Sequence, residues 1–285
     1  MMKKLDIPTK RGTILNGVLF PSENAKTVII AITGIHGNFY SNPFYYNIGD
    51  TLSANGIDFI YAQTNDAFGE IQTFNIKTNS PEIIGSWNED FNNTDEDIEG
   101  YLDFAKEAGY KNIILAGHSL GANKVIYYLS RHHDKERVKH FILLSPANLT
   151  WLMKNVTEQE KKFIREQVEA GSGEKMLPFY FMGWVQCIAN TAYQWLYSEI
   201  LNNVHVEADG DFSEIEQITH TGALVIGTYD NFTYGDPTGF LNNINNHMPT
   251  KKENKLIFLP RTVHTYQQKE QELADNLLEL IKNWE

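Results

Sequence analysis

The sequence predicts an α/β fold with an open, mostly parallel β-sheet that is covered by helices on both faces. Short apolar runs that indicate buried strands occur at residues 26–33, 57–62, 112–116, 138–144, 222–226 and 255–259. Their apolar residues are continuous rather than alternating, which is typical of parallel strands buried on both faces. Segments with helical character separate these runs. This alternation indicates an α/β sheet whose ligand site lies beyond the carboxyl ends of the strands.

The remaining elements are consistent with that architecture. An early strand is predicted at residues 13–19. Helices are predicted at residues 44–54, 93–108, 158–170 and 265–284. The second of these helices has Asp95, Glu96 and Asp97 in its first turn, where negative charge interacts favourably with the helix dipole, and Gly109 ends it.

One long segment interrupts the alternation of strands and helices. Residues 147–221 contain no convincing buried strand, and residues 179–197 are rich in aromatic side chains. We therefore predict an α/β core formed by residues 1–146 and 222–285, with a helical cap inserted at residues 147–221. The aromatic side chains have two interpretations: an ordinary helical core, or a lid that forms an apolar substrate pocket.

Composition and charge exclude several classes of function. The 24 Lys and Arg residues against 36 Asp and Glu residues give a formal charge of −12, which disfavours binding to nucleic acid or to anionic membranes. Cys187 is the only cysteine, so the sequence has neither an internal disulfide nor a metal-binding cysteine pair. The longest apolar run, residues 28–32, is too short to span a bilayer, and the first residues do not resemble a secretory signal. We expect a cytoplasmic protein without membrane insertion, metal or cofactor. Both a monomer and a homodimer are consistent with the sequence.

The clearest motif is Gly-His-Ser-Leu-Gly at residues 117–121. The bare Gly-x-Ser-x-Gly pattern carries little information, but here a buried strand precedes it and a helix follows it. In this setting a sharp turn exposes the serine hydroxyl, and the flanking glycines allow close packing of the backbone. The motif predicts Ser119 as a nucleophile.

A serine nucleophile needs a base and an acid that orients the base. His264 follows the last predicted strand, so the loop that carries it lies at the same edge of the sheet as Ser119. We predict His264 as the base. Asp230 follows the strand at 222–226 by a short turn and is the preferred acid. Asp236 is its rival, although its place before a proline suits a plain turn.

Acyl transfer also needs two N–H donors for the oxyanion. The first is expected at Leu120, directly after the nucleophile. The second is expected in the loop at residues 34–39, where we favour Asn38 and keep Phe39 as the alternative. Candidate residues of the substrate pocket are Phe39, His118, Trp184 and Trp195.

Residues 26–285 resemble the α/β-hydrolase superfamily. The resemblance is carried by the His36-Gly37 loop, the Gly-His-Ser-Leu-Gly elbow, the insertion after the sixth core strand, Gly227-x-x-Asp230 and His264, in the chain order Ser, Asp, His. Residues 117–129 also resemble a branch of hypothetical hydrolases. The resemblance implies a serine hydrolase with a helical cap. The loop at residues 36–38 is similar to that of haloalkane dehalogenases, but those enzymes use an aspartate where this chain has Ser119.

These observations predict a cofactor-independent serine hydrolase. Its partner would be a small-molecule carboxylic ester of small to medium size, apolar or aromatic, cleaved through an acyl-enzyme. Amide or thioester cleavage by the same triad is the alternative within enzymes. A ligand-binding protein on a hydrolase scaffold is the alternative outside enzymes; such proteins usually lose a triad member, and all three candidates are present here.

Overall fold

In the computed structural model, which describes residues 1–284, the chain forms ten strands. They are β1 (Lys3–Pro8), β2 (Ile14–Phe20), β3 (Thr27–Ile32), β4 (Asp58–Ala62), β5 (Ile71–Asn75), β6 (Ser80–Ile84), β7 (Asn112–His118), β8 (His140–Leu144), β9 (Thr221–Gly227) and β10 (Lys255–Leu259). Eight strands form one sheet in the order β1-β2-β4-β3-β7-β8-β9-β10, and β5 pairs with β6 in a separate hairpin. All pairings from β4 to β10 in the large sheet are parallel, whereas β2 runs antiparallel to both β1 and β4. The predicted α/β fold with a mostly parallel sheet is therefore confirmed.

Residues 1–284 also contain eight α-helices. They are α1 (Phe44–Ser53), α2 (Thr94–Glu107), α3 (Leu120–Leu129), α4 (Leu149–Met153), α5 (Glu158–Glu169), α6 (Ala189–Tyr197), α7 (Pro237–His247) and α8 (Glu270–Lys282). Within residues 1–284, none of them combines the length and apolar character needed to cross a bilayer.

The helices bury apolar side chains on both faces of the sheet. On one face, Tyr101 of α2, Val125 of α3 and Phe240 of α7 belong to one buried cluster. On the other face, Ile48 of α1 and Leu277 of α8 belong to a second cluster. Because both faces are covered, all of β3 and all of β7 after Asn112 are buried, as their continuous apolar character predicts.

The segment predicted as a cap packs in two parts. Residues from Leu149 to Leu201, which include α4, α5 and α6, form a third apolar cluster. Residues from Val204 to Ile218 pack instead into the cluster on the α2–α3 face of the sheet. The segment predicted as the cap, residues 147–221, therefore includes a part, residues 204–218, that packs with the sheet layer.

Three features of the fold differ from the expectations. Strand β1 has only Leu5 and Ile7 turned inward, which is too few apolar residues to indicate a strand. The hairpin β5–β6 is largely exposed and has no apolar run. The last helix begins at Glu270, later than expected, because Tyr266 and Gln268 have positive φ angles that a helix excludes.

A buried ionic cluster lies next to the sheet edge that carries the motif. We call the side chains of Asp66, Glu89 and Lys124 the Lys124 cluster. The Lys124 ammonium is only 1% exposed and lies 2.7 Å from Glu89 Oε1 and 3.1 Å from Asp66 Oδ1. Two carboxyl groups thus face one ammonium. Burial, together with the neighbouring Asp66, raises the pKa of Glu89 to about 8, although Lys124 acts in the opposite direction.

This raised pKa predicts how stability depends on pH. Between about pH 4.5 and about pH 8, the folded protein holds a proton on Glu89 more tightly than the unfolded chain does, so stability falls as pH rises. Glu89→Gln removes the titrating carboxyl and keeps the pairing of Lys124 with Asp66. We expect the Tm of Glu89→Gln, relative to wild type, to increase with pH across this window in a calorimetric series. Glu253→Gln, at an exposed turn, is the control for loss of one surface charge. A Tm difference between Glu89→Gln and wild type that does not change with pH would contradict the expectation.

Candidate active site

Ser119 lies on a strained turn between β7 and α3. Its backbone has φ 55° and ψ −128°, and its N–H donates to the carbonyl of Leu144 at 3.0 Å. Positive φ is costly for a residue with a side chain and persists only where the surrounding structure enforces it. A Cβ at Gly117 would lie 2.2 Å from the Gly121 carbonyl oxygen, and a Cβ at Gly121 would lie 2.2 Å from that of Ile32. Both positions of the motif therefore require glycine.

Asp230 and His264 meet at the same edge of the sheet. His264 Nδ1 donates to Asp230 Oδ2 at 2.8 Å, and both side chains are largely buried. The Phe232 N–H donates to the other Asp230 oxygen at 3.0 Å. Burial alone would raise the pKa of Asp230, but the charge and hydrogen bond of His264, together with the Phe232 N–H, bring it below its ordinary value. The carboxyl group is therefore ionised at neutral pH.

The second nitrogen of His264 is free of protein partners. Nε2 is buried, and no group within residues 1–284 forms a hydrogen bond with it. The ring packs against Phe232 at a centroid distance of 4.2 Å. An imidazole that donates from Nδ1 to a carboxylate presents Nε2 as an acceptor. His264 can thus receive a proton from a hydroxyl group at this edge.

The structure brings Asp230, and not Asp236, to His264. Asp236 lies at the N-terminus of α7, where its Oδ1 accepts a hydrogen bond from the Gly239 N–H at 2.8 Å. That contact is an N-cap, which satisfies one of the unpaired donors of the first helical turn. This capping contact, which is the kind of turn role anticipated for Asp236, is therefore sufficient to explain an aspartate at this position.

We had expected His118 to line a substrate pocket. Instead it lies in the core and supports His264. It is buried, and its Nε2–H donates to the carbonyl oxygen of His264 at 2.9 Å. Its ring contacts Phe44 and Tyr266. Burial lowers the pKa of His118 to about 3, with a smaller contribution from His264, so His118 is neutral.

The loop after β3 differs from the expectation for the oxyanion donors. The Asn38 N–H already donates to the His36 carbonyl at 2.9 Å, so it is not available. The Ile35 N–H has no acceptor within residues 1–284. Gly34 lies directly against the elbow, since a Cβ there would be 2.8 Å from Ser119 Cβ. The glycine that indicates this contact in the sequence is Gly34, the first one after β3, and not Gly37, the second.

Leu120 occupies the first position of α3, where the N–H has no acceptor within the helix. Leu120 is the residue predicted as the first donor. Phe39, in contrast, turns away from the site. Its ring stacks on Tyr61 at 4.3 Å and contacts Tyr46 at 4.4 Å, in the aromatic packing of the α1 face. Phe39 therefore does not form part of a pocket beside Ser119.

The two tryptophans of the predicted pocket have different environments. Trp184 is 43% exposed and contacts the His36 ring edge-on at 5.3 Å, beside the loop after β3. Trp195 is 3% exposed and packs on Phe91 at 5.3 Å. Trp195 also lines a cleft of about 420 Å³ among α4, α5 and α6, whose lining does not include Ser119.

Together these groups have the chemistry of nucleophilic catalysis. A serine on a strained turn, an imidazole with a free acceptor nitrogen and an ionised carboxylate are what attack at an acyl carbon requires. No group of three or more His, Cys, Asp or Glu side chains within residues 1–284 is arranged to hold a metal ion.

The contrast between the tryptophans predicts a difference in stability. Trp195→Ala should lower the free energy of unfolding by about 3–5 kcal/mol because it leaves a large cavity in the apolar cluster of α4, α5 and α6. Trp184→Ala is the matched control and should change it by less than about 1 kcal/mol, since its side chain is largely exposed. Urea unfolding of both variants measures the difference. Equal losses would mean that Trp184 also belongs to a packed core.

Comparison with known proteins identifies the fold and the family. The α/β-hydrolase GrgF from Penicillium sp. sh18 has a TM-score of 0.68 and 17% identity, covering 99% of this chain and 98% of that one. Est1E from Butyrivibrio proteoclasticus has a TM-score of 0.64 and 17% identity over 98% of both chains, and one Est1E structure contains ferulic acid. Carboxylesterase CesB from Bacillus subtilis has a TM-score of 0.57 and 15% identity, covering 99% of this chain and 92% of that one.

These similarities confirm the predicted α/β-hydrolase fold. No curated protein matches the chain in sequence. The family model described as "Protein of unknown function (DUF1749)" matches residues 16–216, which is more than half of the 285 residues. The chain therefore belongs to the DUF1749 family and has the α/β-hydrolase fold.

Proposed function

We propose that this protein is a serine hydrolase that cleaves carboxylic esters of small to medium apolar or aromatic compounds. The observation that carries the proposal is the pairing of His264 Nδ1 with the buried carboxylate of Asp230, with Nε2 left free, at the sheet edge where the elbow presents Ser119. These three residues lie in different parts of the sequence, and each follows a parallel strand that ends at this edge of the sheet.

The proposed reaction proceeds through an acyl-enzyme. Ser119 Oγ attacks the ester carbonyl carbon while His264 Nε2 takes the hydroxyl proton. The proton then passes from His264 to the oxygen of the departing alcohol as the C–O bond breaks. Water then attacks the acyl carbon as His264 takes one of its protons; the bond to Ser119 Oγ breaks, His264 returns the proton to that oxygen, and the carboxylic acid is released. Asp230 keeps its negative charge throughout and stabilises the imidazolium.

We assign the oxyanion donors to the N–H groups of Leu120 and Ile35. Leu120 follows the nucleophile, and Ile35 follows Gly34, whose backbone touches the elbow. Neither N–H has a partner within the fold in residues 1–284. This assignment replaces Asn38, whose N–H is occupied by His36.

The surroundings of Ser119 support an apolar or aromatic substrate. Phe232 lies against His264, and the exposed indole of Trp184 lies beside the loop that carries Ile35. We propose that the segment from α4 to α6 caps the site, with Trp184 in a turn between α5 and α6. CesB is a carboxylesterase, and Est1E binds an aromatic carboxylic acid, so both relatives are consistent with ester chemistry on this fold.

The direct test is covalent labelling with a fluorophosphonate, followed by assay on chromogenic esters of varied acyl length. We expect wild type to be labelled at Ser119 alone and Ser119→Ala to be neither labelled nor active. Asp230→Asn should lose about 10⁴-fold in kcat because the imidazole loses its orientation. Asp236→Asn is the matched control and should stay within about tenfold of wild type, since asparagine also caps helices. Absence of labelling in folded wild type would leave a non-catalytic binding protein as the interpretation.

A second test concerns the loop that carries Ile35. Gly34→Ala places a Cβ against the His118 carbonyl at 2.7 Å and against Ser119 Cβ at 2.8 Å, so the loop must move away from the elbow. We expect kcat to fall about 10²-fold or more, the effect of losing one oxyanion donor. Gly69→Ala is the matched control, because its nearest new contact is 3.9 Å away. Full activity in Gly34→Ala, measured with the best ester of the panel, would remove Ile35 from the proposed mechanism.

A further inference from the structure

We propose that Lys124 is a positioning residue that fixes the distance between the two oxyanion donors. The inference rests on the proposed function, in which Leu120 and Ile35 supply those donors. Lys124 is not in contact with the reacting groups. It acts through the segment that follows β4, residues 64–67, which we call the support segment.

Lys124 joins the support segment to the nucleophile helix. It lies on α3 four residues after Leu120, so the two residues belong to adjacent turns of one rigid element. Its ammonium donates to Thr64 Oγ1 at 3.2 Å and lies 3.1 Å from Asp66 Oδ1. The Thr64 hydroxyl also donates to Asp66 Oδ1 at 2.9 Å. Lys124 therefore holds two side chains of the same short segment.

The support segment in turn holds the loop that carries Ile35. The Asp66 carbonyl accepts the N–H of His36, the residue after Ile35, at 2.8 Å. On the other side of Ile35, Thr33 Oγ1 accepts the N–H of Thr64 at 3.1 Å. The loop is thus attached to the support segment on both sides of the Ile35 amide. Through Lys124, the same segment is attached to the helix that begins at Leu120.

Stability alone does not account for a charged cluster at this place. Moving three ionisable groups out of water costs free energy, and buried ion pairs are often no better for stability than apolar residues of similar size. The cluster is also incompletely satisfied, since Asp66 Oδ2 and Glu89 Oε2 are buried without a partner in residues 1–284. What the cluster provides is a directional constraint on the polypeptide segments it connects.

A directional constraint matters here because oxyanion stabilisation depends steeply on geometry. Donors act best at about 2.7–3.1 Å from the developing oxyanion, and displacements of about 1 Å can cost about 10²-fold in rate. Two donors on separate segments need a link between them. The path from α3 through Lys124 and Asp66 to His36 is such a link, made of a buried ion pair and a backbone hydrogen bond.

The test compares two buried aspartates, each paired with a cation. Asp66→Asn weakens the hold of Lys124 on the support segment but leaves its ammonium 2.7 Å from the Glu89 carboxyl, whose pKa falls once the neighbouring Asp66 charge is removed. Asp97→Asn is the matched control: Asp97 is equally buried, accepts from Arg11 at 2.6 Å and lies on α2. Activity is measured with the ester that wild type cleaves best, together with Tm and hydrogen exchange of the amides at residues 34–38.

We expect Asp66→Asn to lower kcat by about tenfold or more with KM within about twofold, and to speed exchange of the His36 amide. Asp97→Asn should lower Tm but leave kcat and that exchange unchanged. Unchanged kcat and exchange in Asp66→Asn would overturn the proposal, as would an equal loss of kcat in Asp97→Asn. If Asp66→Asn does not fold, Thr64→Val removes only the hydroxyl that contacts Lys124 and Asp66. We expect kcat and exchange to change in the same direction. A wild type that cleaves no ester would refute the proposed function, while the exchange measurement would still test the link.

Discussion

Close backbone packing around Ser119 is the constraint on which the rest of the site depends. The turn that presents this serine has no room for a Cβ at Gly117 or Gly121, and the loop after β3 presses against it through Gly34. These contacts put the start of α3 beside the end of β3. They also force Ser119 into a backbone conformation that is unfavourable for a residue with a side chain. The sheet has to supply that free energy, and all of β3 and all of β7 after Asn112 are buried.

The sheet and the three catalytic candidates could be predicted from sequence because their signals are local. Continuous apolar runs mark buried parallel strands, and a serine or histidine directly after such a run must lie at the carboxyl edge. Asp230 was preferred to Asp236 for the same reason, since it is only three residues beyond the end of β9. In each case the distance from the strand end along the chain limits where the side chain can be.

The supporting residues could not be predicted because their roles depend on contacts between distant segments. The sequence favoured Asn38 as the second donor, with Phe39 as the alternative, and gave no signal for Ile35; the bond from the Asn38 N–H to the His36 carbonyl appears only in the structure. Trp184 and Trp195 are both aromatic residues of the stretch at 179–197, and only the packing of that stretch makes their exposure differ. A lysine in an otherwise apolar helix gives no indication in sequence that two carboxyl groups will face it.

Burial has opposite electrostatic effects on the two sides of the site, and together they favour the proposed chemistry. Beside His264, burial keeps His118 neutral, so no fixed positive charge opposes the imidazolium that forms when His264 takes a proton. Asp230 supplies the compensating negative charge at 2.8 Å. Beside the loop after β3, by contrast, burial is combined with a retained cation, because Lys124 has two carboxyl partners. In the proposed reaction, the charge that changes is thereby confined to His264 and the oxyanion, while the ionic contacts of Lys124 stay fixed, as the proposed positioning of the backbone donors requires.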